Sequence, residues 1–202
     1  MQDTRETDPR VKRTRRMLFQ ALEELLAQKE FETISMQDIA ERSTLNRGTI
    51  YLHYKDKFAL LEAMIEDKFG SLFEARMAGA SGGCRAGLRQ MILTVCDFLG
   101  VFGCPNRSGP FDPMVGTTVR GIVRSFLETG LKKSGKPVSC ADAELRATTA
   151  SWAICGTVLE WSRTRSIPAD ELADSLLSLI DTILFLDQAE PPANPSAGTT
   201  GN

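Results

Sequence analysis

Apolar side chains recur at helical spacing along most of this chain of 202 residues, and no segment shows the two-residue alternation typical of a strand. The first helical segment has apolar residues three, four and seven positions apart, with Asp8 placed to cap it and Pro9 in its first turn. Stretches rich in Gly, Pro and Ser separate the later segments, which are 84–102, 113–133, 141–163 and 169–186. The pattern predicts an all-α protein of about nine helices.

The composition limits the class of protein further. Hydrophobic residues make up 42% and charged residues 25% of the chain, a balance typical of soluble globular proteins. We expect a cytoplasmic protein, because the first residues are polar and no apolar run approaches the ~18 residues of a membrane helix. The five cysteines are scattered and lack metal-ligand spacing, so we expect reduced thiols and neither a metal site nor a cofactor.

Positive charge is concentrated near the N-terminus. Residues 10–57 carry ten Lys/Arg against seven Asp/Glu, whereas residues 58–202 carry thirteen against sixteen. The densest part is the basic segment, which we define as Arg10, Lys12, Arg13, Arg15 and Arg16. Such a run indicates an anionic partner, with an ordinary solvated helix face as the alternative.

Two short helical segments follow, joined by a three-residue turn at 43–45. Ser35 and Asp38 are spaced as a capping box at the start of the first, and Asn46 is a good cap for the second. This arrangement matches a helix-turn-helix, whose second helix lies in the major groove of DNA. Arg47 then offers a guanidinium fork for guanine and Thr49 a methyl group for thymine.

The stretch FETISMQDIAERSTLNRGTIYLHYKDKFALL, Phe31 to Leu61, resembles the N-terminal domain of the tetracycline-repressor (TetR) family. The shared features are a Ser or Thr before the first short helix, the DIA core, a GTxYxHF-like recognition helix and a Lys before the next helix. Thr44 stands where the family commonly has a turn glycine, and Tyr54 where it usually has Phe. The resemblance covers about the first third of the chain by motif.

The resemblance implies a role for each matching position. Ile39, Ala40, Leu45, Ile50 and Tyr54 fall at packing positions. The positions that face DNA in the family are Ser35, Gln37, Thr44, Arg47, Thr49, Tyr51, His53 and Lys57. We expect Arg47 and Thr49 to read bases, and Tyr51, His53 and Lys57 to contact phosphates. Core packing for Tyr51, and a surface position without a ligand for His53, are the alternatives; with one histidine in the chain, a metal role is disfavoured.

The resemblance also implies the domain organisation. It predicts a helix-turn-helix domain at 1–57 and a C-terminal effector-binding and dimerisation domain at 58–187, with a helix at about 56–78 linking the two. The tail, 188–202, lacks apolar periodicity and is predicted to be disordered.

A homodimer is predicted through the last two helical segments, 141–163 and 169–186. Residues 148–161 are apolar nearly all round, and Gly156 would allow close helix approach. The last segment has two apolar stripes, Leu172, Leu176, Leu179, Ile183 and Leu186, and Leu177, Ile180 and Leu184. Two copies would form a four-helix interface and bind an inverted-repeat operator with half-sites about 34 to 36 Å, or a multiple of that, apart. Two central helices of a monomer are the alternative.

The middle of the C-terminal region is predicted to hold a small apolar effector. The candidate lining residues are Met91, Val95, Phe98, Phe102, Phe126, Trp152 and Cys155. Ordinary core packing explains most of them equally well. Arg120, Arg124 and Glu160 are charged candidates for orienting a ligand, with surface ion pairs as the alternative. A redox switch through Cys96 or Cys104 is disfavoured, because neither has a basic neighbour in sequence.

The predicted function is therefore a DNA-binding regulator, most simply a homodimeric repressor released from its operator by an effector. The alternative keeps DNA binding but gives the C-terminal domain a protein partner instead of a small molecule. An enzyme is disfavoured, because the sequence has no phosphate loop, no GxGxxG and no nucleophile elbow.

Overall fold

The computed structural model describes residues 8–78, 84–102, 111–133 and 139–185, and all their side chains except those of residues 101, 102, 111 and 112. Eight α-helices and one 3-10 turn, Phe31–Thr33, account for most of this part of the chain, which contains no strand. The helices are α1 Pro9–Leu26, α2 Met36–Ser43, α3 Arg47–His53, α4 Lys57–Met77, α5 Arg85–Phe102, α6 Phe111–Lys133, α7 Cys140–Thr164 and α8 Ala169–Leu184. The all-α prediction is confirmed, and the predicted tail lies outside the described residues.

The first three helices enclose a small core. Leu18 and Leu22 of α1, Ile39 of α2 and Ile50 of α3 are completely buried and meet Leu60 at the start of α4. Each side chain lies on the apolar stripe of its own helix, so one face of every helix supplies the core and the other faces solvent.

Helix α4 belongs to both halves of the molecule. Its first half packs on α1, where the Lys68 ammonium binds a Glu23 carboxylate oxygen at 2.7 Å. Its second half packs on α5 and α6 through aromatic pairs: Phe69 with Phe98, ring centroids 5.0 Å apart, and Phe73 with Phe126, at 5.1 Å. One continuous hydrophobic cluster therefore runs from the first helices into the C-terminal bundle.

Helices α5 to α8 form that bundle. Small residues on α7, among them Ala143, Ala147 and Ala150, are buried and allow α6 to approach closely. On the other side, Arg89 of α5 binds Asp174 and Asp170 of α8, at 2.7 Å and 2.9 Å. These contacts fix the order of the helices around the core.

Helix α8 buries most of its apolar residues within the bundle: Leu172, Leu176, Leu177, Ile180 and Leu184. Leu179, in contrast, is 63% exposed, and Ile183 is partly exposed. Leu172 and Leu176 of the first predicted stripe therefore join the second stripe on the inner face, and Leu179 and Ile183 form a narrower outer face. Leu186 lies outside the described residues. No helix in the described ranges is long and apolar enough to span a membrane.

Candidate nucleic-acid interface

Helix α2 begins with a complete capping box, as predicted. The Ser35 hydroxyl accepts a hydrogen bond from the Asp38 backbone N–H at 3.1 Å, and the Asp38 carboxylate accepts one from the Ser35 N–H at 2.7 Å. The Ser35 hydroxyl also donates to that carboxylate, and the Lys29 ammonium lies 2.9 Å from it. These contacts hold the pKa of Asp38 well below its ordinary value, and the hydrogen bond from the Ser35 side chain has the largest effect.

The turn after α2 depends on Thr44, which adopts a left-handed conformation with φ 58° and ψ 24°. Its N–H and the following N–H of Leu45 donate to the carbonyls of Glu41 and Ala40, which closes the C-terminal end of the helix. The position normally suits glycine, and a β-branched residue is strained there. Thr44 therefore performs the predicted role of the turn glycine at a conformational cost.

Helix α3 is fixed on one side and open on the other. The Asn46 side chain caps it by accepting from the Gly48 N–H at 2.8 Å, and Ile50 is fully buried in the core. Tyr54, just past the helix, packs against Phe19 with ring centroids 6.3 Å apart. The packing role expected for Ile50 and Tyr54 agrees with these contacts.

The outer face of α3 carries side chains suited to DNA. Arg47 is exposed, and its guanidinium nitrogen lies 3.5 Å from the hydroxyl of Tyr51, one helical turn further on. Tyr51 is 47% exposed, which excludes a core role. Thr49 and His53 are partly exposed at the edges of this face.

Leu52 is the residue that sequence reasoning missed. Its side chain is 84% exposed, the largest exposure among the large apolar side chains in the described ranges. The signal was available: Ile50 and Tyr54 define the buried side of α3, and Leu52 lies between them on the opposite side. An exposed leucine here is an apolar contact surface on an otherwise polar face.

Lys57 has a different environment from the predicted one. Its ammonium donates to the carbonyls of Phe31 at 2.9 Å, Glu32 at 2.8 Å and Ile34 at 2.8 Å, which uses all three of its hydrogens. Partial burial lowers the pKa of Lys57 below its ordinary value. In this structure the ammonium binds backbone oxygens, which favours a structural role for Lys57 over the phosphate contact expected from the sequence.

The basic segment contains one cation that is bound within the protein and four that face solvent. Arg15 lies along Phe19, and its guanidinium reaches Asp67 of α4 at 3.4 Å. Four cations of the segment are exposed and form no ion pair with another described residue: Arg10, Lys12, Arg13 and Arg16. Gln37 and Ser35 are exposed on the neighbouring surface, with the Gln37 amide bound to Glu41 at 2.7 Å.

Most of the predicted effector residues lie in or against the hydrophobic cluster of the protein, as ordinary core residues would: Met91, Val95, Phe98, Phe126 and Cys155. Met91 and Val95 are completely buried, Phe98 and Cys155 nearly so, and the Phe102 side chain lies outside the described residues. Phe126 is partly buried against Phe73.

Trp152 is a clear correction. It is 59% exposed on the outer face of α7, where the Arg120 guanidinium lies 3.7 Å from its ring centroid. Of the other charged candidates, Arg124 pairs with Glu144 at 3.8 Å, and Glu160 with Arg163 at 3.0 Å.

The described cysteines are all free, with Cys84 and Cys140 exposed and Cys96 and Cys155 buried. Burial raises the pKa of both Cys96 and Cys155 to about 12, so their thiols are protonated at neutral pH. Cys104 lies outside the described residues. Within those residues, no group of three or more His, Cys, Asp or Glu side chains is arranged to hold a metal ion.

Residues 18–64, which run from α1 through the helix-turn-helix into α4, match the family described as bacterial regulatory proteins, tetR family. The match covers about a quarter of the chain and shows a TetR-type helix-turn-helix domain in its N-terminal part. The family description, regulatory proteins, favours the regulator expected from the sequence over an enzyme.

A curated relative, the uncharacterized HTH-type transcriptional regulator YxbF of Bacillus subtilis (strain 168), is 44% identical over 48 residues. This stretch is 24% of the present chain and 13% of the relative's length, so the likeness concerns the TetR-type N-terminal domain.

Solved structures extend the likeness of fold to the C-terminal helices. The regulator FadR of Bacillus subtilis, crystallised with stearoyl-CoA, has a TM-score of 0.53 at 18% identity, over 81% of this chain and 96% of FadR. A putative TetR-family regulator of Syntrophomonas wolfei has a TM-score of 0.56 at 18% identity, over 86% and 95%. At such identities these structures show a shared TetR fold.

Proposed function

We propose that this protein is a DNA-binding transcriptional regulator that places α3 in the major groove. The observation that carries the proposal is the division of α3 into a buried side, anchored by Ile50, and an outer side that presents Arg47, Tyr51 and Leu52. A recognition helix needs this division, because one side must be held rigidly while the other meets base edges.

Each side chain of the outer face has a distinct proposed role. Arg47 donates to the two acceptors of a guanine, and Thr49 and Leu52 contact thymine methyl groups. Tyr51 and His53 donate to phosphates, together with Ser35, Gln37 and Thr44 at the ends of α2. Arg10, Lys12, Arg13 and Arg16 of the basic segment, which pair with no other described residue, neutralise further phosphates, so binding weakens as the salt concentration rises.

We propose further that the regulator is a homodimer formed through α7 and α8. Leu145 and Trp152 of α7 and Leu179 of α8 are each at least 59% exposed. Gly156 lies on the same side of α7 as Trp152, and a Cβ built there would meet nothing within 4 Å. An apolar surface with an open glycine favours close packing against a second copy, which supplies the second recognition helix for an inverted repeat.

Helix α4 is the proposed route from an effector to DNA. It is tied to α1 by the Arg15–Asp67 and Lys68–Glu23 pairs and packs through Phe69 and Phe73 on the C-terminal bundle. An effector that shifts α4 changes the distance between the two recognition helices of the dimer, so the repressor leaves its operator.

The DNA-binding proposal is tested by selecting random duplex DNA with the purified full-length protein and sequencing the bound fraction. We expect an enriched inverted repeat whose half-sites are one helical turn, about 34 to 36 Å, or a multiple of that apart. The matched control is Arg124→Ala, which removes a surface arginine on α6 and should leave the motif unchanged. Recovery of no enriched motif would overturn the proposal.

The coupling proposal is tested by measuring effector affinity with and without operator DNA. Because coupling free energies are reciprocal, an effector that weakens operator binding by some factor must itself be weakened by the operator to the same degree. Equal effector affinity in both conditions would contradict release through α4.

A further inference from the structure

A cleft of about 650 Å³ opens at the end of the C-terminal bundle, away from the predicted apolar effector residues. Its walls come from the last turn of α4, the second half of α5, the end of α7 and the loop that leads into α8. The volume falls in the range of about 300 to 1,000 Å³ that is typical of pockets for small organic ligands.

Among the described residues, the charges around this cleft leave one cation without a counter-ion. Arg76 of α4 is paired with Asp97 of α5, and Asp170 at the start of α8 is paired with Arg89. Arg165 forms no ion pair with another described residue. Together, Arg76, Asp97 and Arg165 leave a local charge of one positive unit on the cleft wall.

Arg165 is held in position by its surroundings. Its backbone is left-handed, with φ 44°, and its guanidinium donates a hydrogen bond to the Gly100 carbonyl near the end of α5. A Cβ at Gly100 would lie 3.0 Å from that guanidinium nitrogen, so the glycine makes room for the contact. The contact occupies one of the five N–H donors, and the others remain available to a ligand.

The rest of the wall is mainly apolar. Trp161 is largely buried, and its indole N–H is already used in a 2.8 Å hydrogen bond to the Ile167 carbonyl, so its ring serves as a surface. Ile167 and the buried Cys96 extend this surface. Pro168 is the N-cap residue of α8, and its side chain forms no capping hydrogen bond. The positive end of the α8 dipole therefore faces the same region.

We propose that this cleft binds a small monocarboxylate with an apolar body, whose carboxylate is held by Arg165 and whose body lies against Trp161 and Ile167. A guanidinium and a carboxylate match in shape and form two parallel hydrogen bonds, which makes arginine the favoured partner for this group. A single negative charge balances the single unpaired positive charge, whereas a second one would be repelled by Asp97.

The consequence for regulation rests on the proposed function. Arg76 lies in the last turn of α4, and Lys57, in the first turn of the same helix, holds the helix-turn-helix. A ligand held by Arg165 in the cleft lies beside the Arg76–Asp97 pair, which joins α4 to α5, and so changes the contact between these two helices. The cleft is thus an effector site coupled to α4 from its C-terminal end.

The test titrates the full-length protein with phenylacetate, indole-3-acetate and hexanoate, each beside its uncharged amide, in ligand-observed NMR without DNA. We expect at least one acid to bind about tenfold more tightly than its amide, a difference of about 1.4 kcal/mol. Arg165→Gln should remove the preference for the acid. The matched control is Arg163→Gln, which loses the same charge two residues earlier and should bind like the parent.

Gly100→Ala provides a second, independent variant. Alanine favours the helix, so the protein should fold, while the added Cβ displaces the Arg165 guanidinium and weakens acid binding. Absence of binding by all three acids, equal affinity for acid and amide, or unchanged binding by Arg165→Gln would each overturn the proposal. Failure of the DNA selection would overturn the proposed function and leave this binding result intact.

Discussion

The ammonium nitrogen of Lys57 lies 4.8 Å from the centre of the Phe31 ring and donates a hydrogen bond to the Phe31 carbonyl. Two further carbonyls, those of Glu32 and Ile34, accept its remaining hydrogens. The first turn of α4 is therefore fastened to the chain segment just before α2. This contact sets the orientation of the helix-turn-helix relative to α4.

Replacing Lys57 with methionine keeps most of the aliphatic stem but leaves three carbonyls without their donor. We expect the free energy of unfolding to fall by about 2 to 4 kcal/mol, because hydrogen bonds from a charged group and a cation–π contact are lost. Operator affinity should also fall, but the slope of log affinity against log salt should not change, since Lys57 neutralises no phosphate.

Lys12→Met is the matched control for this variant. Lys12 is exposed in the basic segment, so its loss should lower the salt slope by about one counterion and leave urea unfolding unchanged. A reduced salt slope for Lys57→Met, equal to that of Lys12→Met, would return Lys57 to the phosphate role predicted from the sequence.

Thr44→Gly should stabilise the protein. A left-handed residue with a side chain costs about 1 to 2 kcal/mol, and glycine's extra chain entropy costs about 0.5 to 1 kcal/mol. We therefore expect a net gain of about 0.5 to 1 kcal/mol in urea unfolding, without a change in the m-value. Thr44→Val, which is also β-branched and close in volume, should show no such gain. A loss of stability in the glycine variant would mean that the Thr44 side chain makes a stabilising contact.

Asp38 predicts a pH dependence of stability. Hydrogen bonds from Ser35, and then from Lys29, hold its pKa in the folded state below the ordinary value of 3.8. A carboxyl group with a lowered folded-state pKa stabilises the protein fully above the unfolded value, and this stabilisation is lost as the pH falls through the folded value. The stability difference between the parent and Asp38→Asn should be constant from pH 7 to about 5 and shrink below about 4. A difference that grows on acidification would contradict this.

Features that depend on neighbours in sequence were predictable. The capping box joins Ser35 and Asp38, three residues apart, and the Asn46 cap and the left-handed Thr44 follow from equally local rules. The family resemblance, which rests on the same local motif, implied a packing position for Ile50, and this residue is completely buried. Local spacing therefore predicted both the helices and the turn between them.

Features that depend on distant contacts were not predictable. The carbonyls that bind Lys57 are 23 to 26 residues away, and no sequence rule brings them to its ammonium. Trp152 lies on a segment that is apolar nearly all round, and such a pattern does not tell which face the neighbouring helices cover. In the folded bundle the neighbouring helices bury the opposite face of α7, at Ala150 and Ile154, and leave Trp152 exposed beside Arg120 of α6.

Arg47→Ala should change sequence preference as well as affinity. A guanidinium that binds one guanine contributes about 1 to 3 kcal/mol of discrimination, so its loss should relax the motif at one base pair in each half-site. Tyr51→Phe removes only a hydroxyl that we assign to a phosphate, so binding should weaken evenly across sequences. The comparison is made by repeating the DNA selection with each variant. If Arg47→Ala instead weakens DNA binding evenly across sequences, then Arg47, like Tyr51, contacts only the DNA backbone.

Leu179→Arg should convert the protein from a dimer into a monomer. Leu179 is 63% exposed on the outer face of α8, and two arginines facing each other across a two-fold interface would be buried without partners. Light scattering after gel filtration should give twice the chain mass of 22.2 kDa for the parent and the mass of one chain for the variant. Operator affinity should fall as well, because a monomer presents one recognition helix.

The matched control is Leu52→Arg, which introduces the same charge at a leucine that is 84% exposed on α3. Because α3 is assigned to DNA and not to the partner subunit, this variant should keep the dimer mass while its operator motif changes. If Leu179→Arg instead keeps the parent's mass and Leu52→Arg lowers it, the dimer forms through α3, and the assignment of these two apolar surfaces must be exchanged.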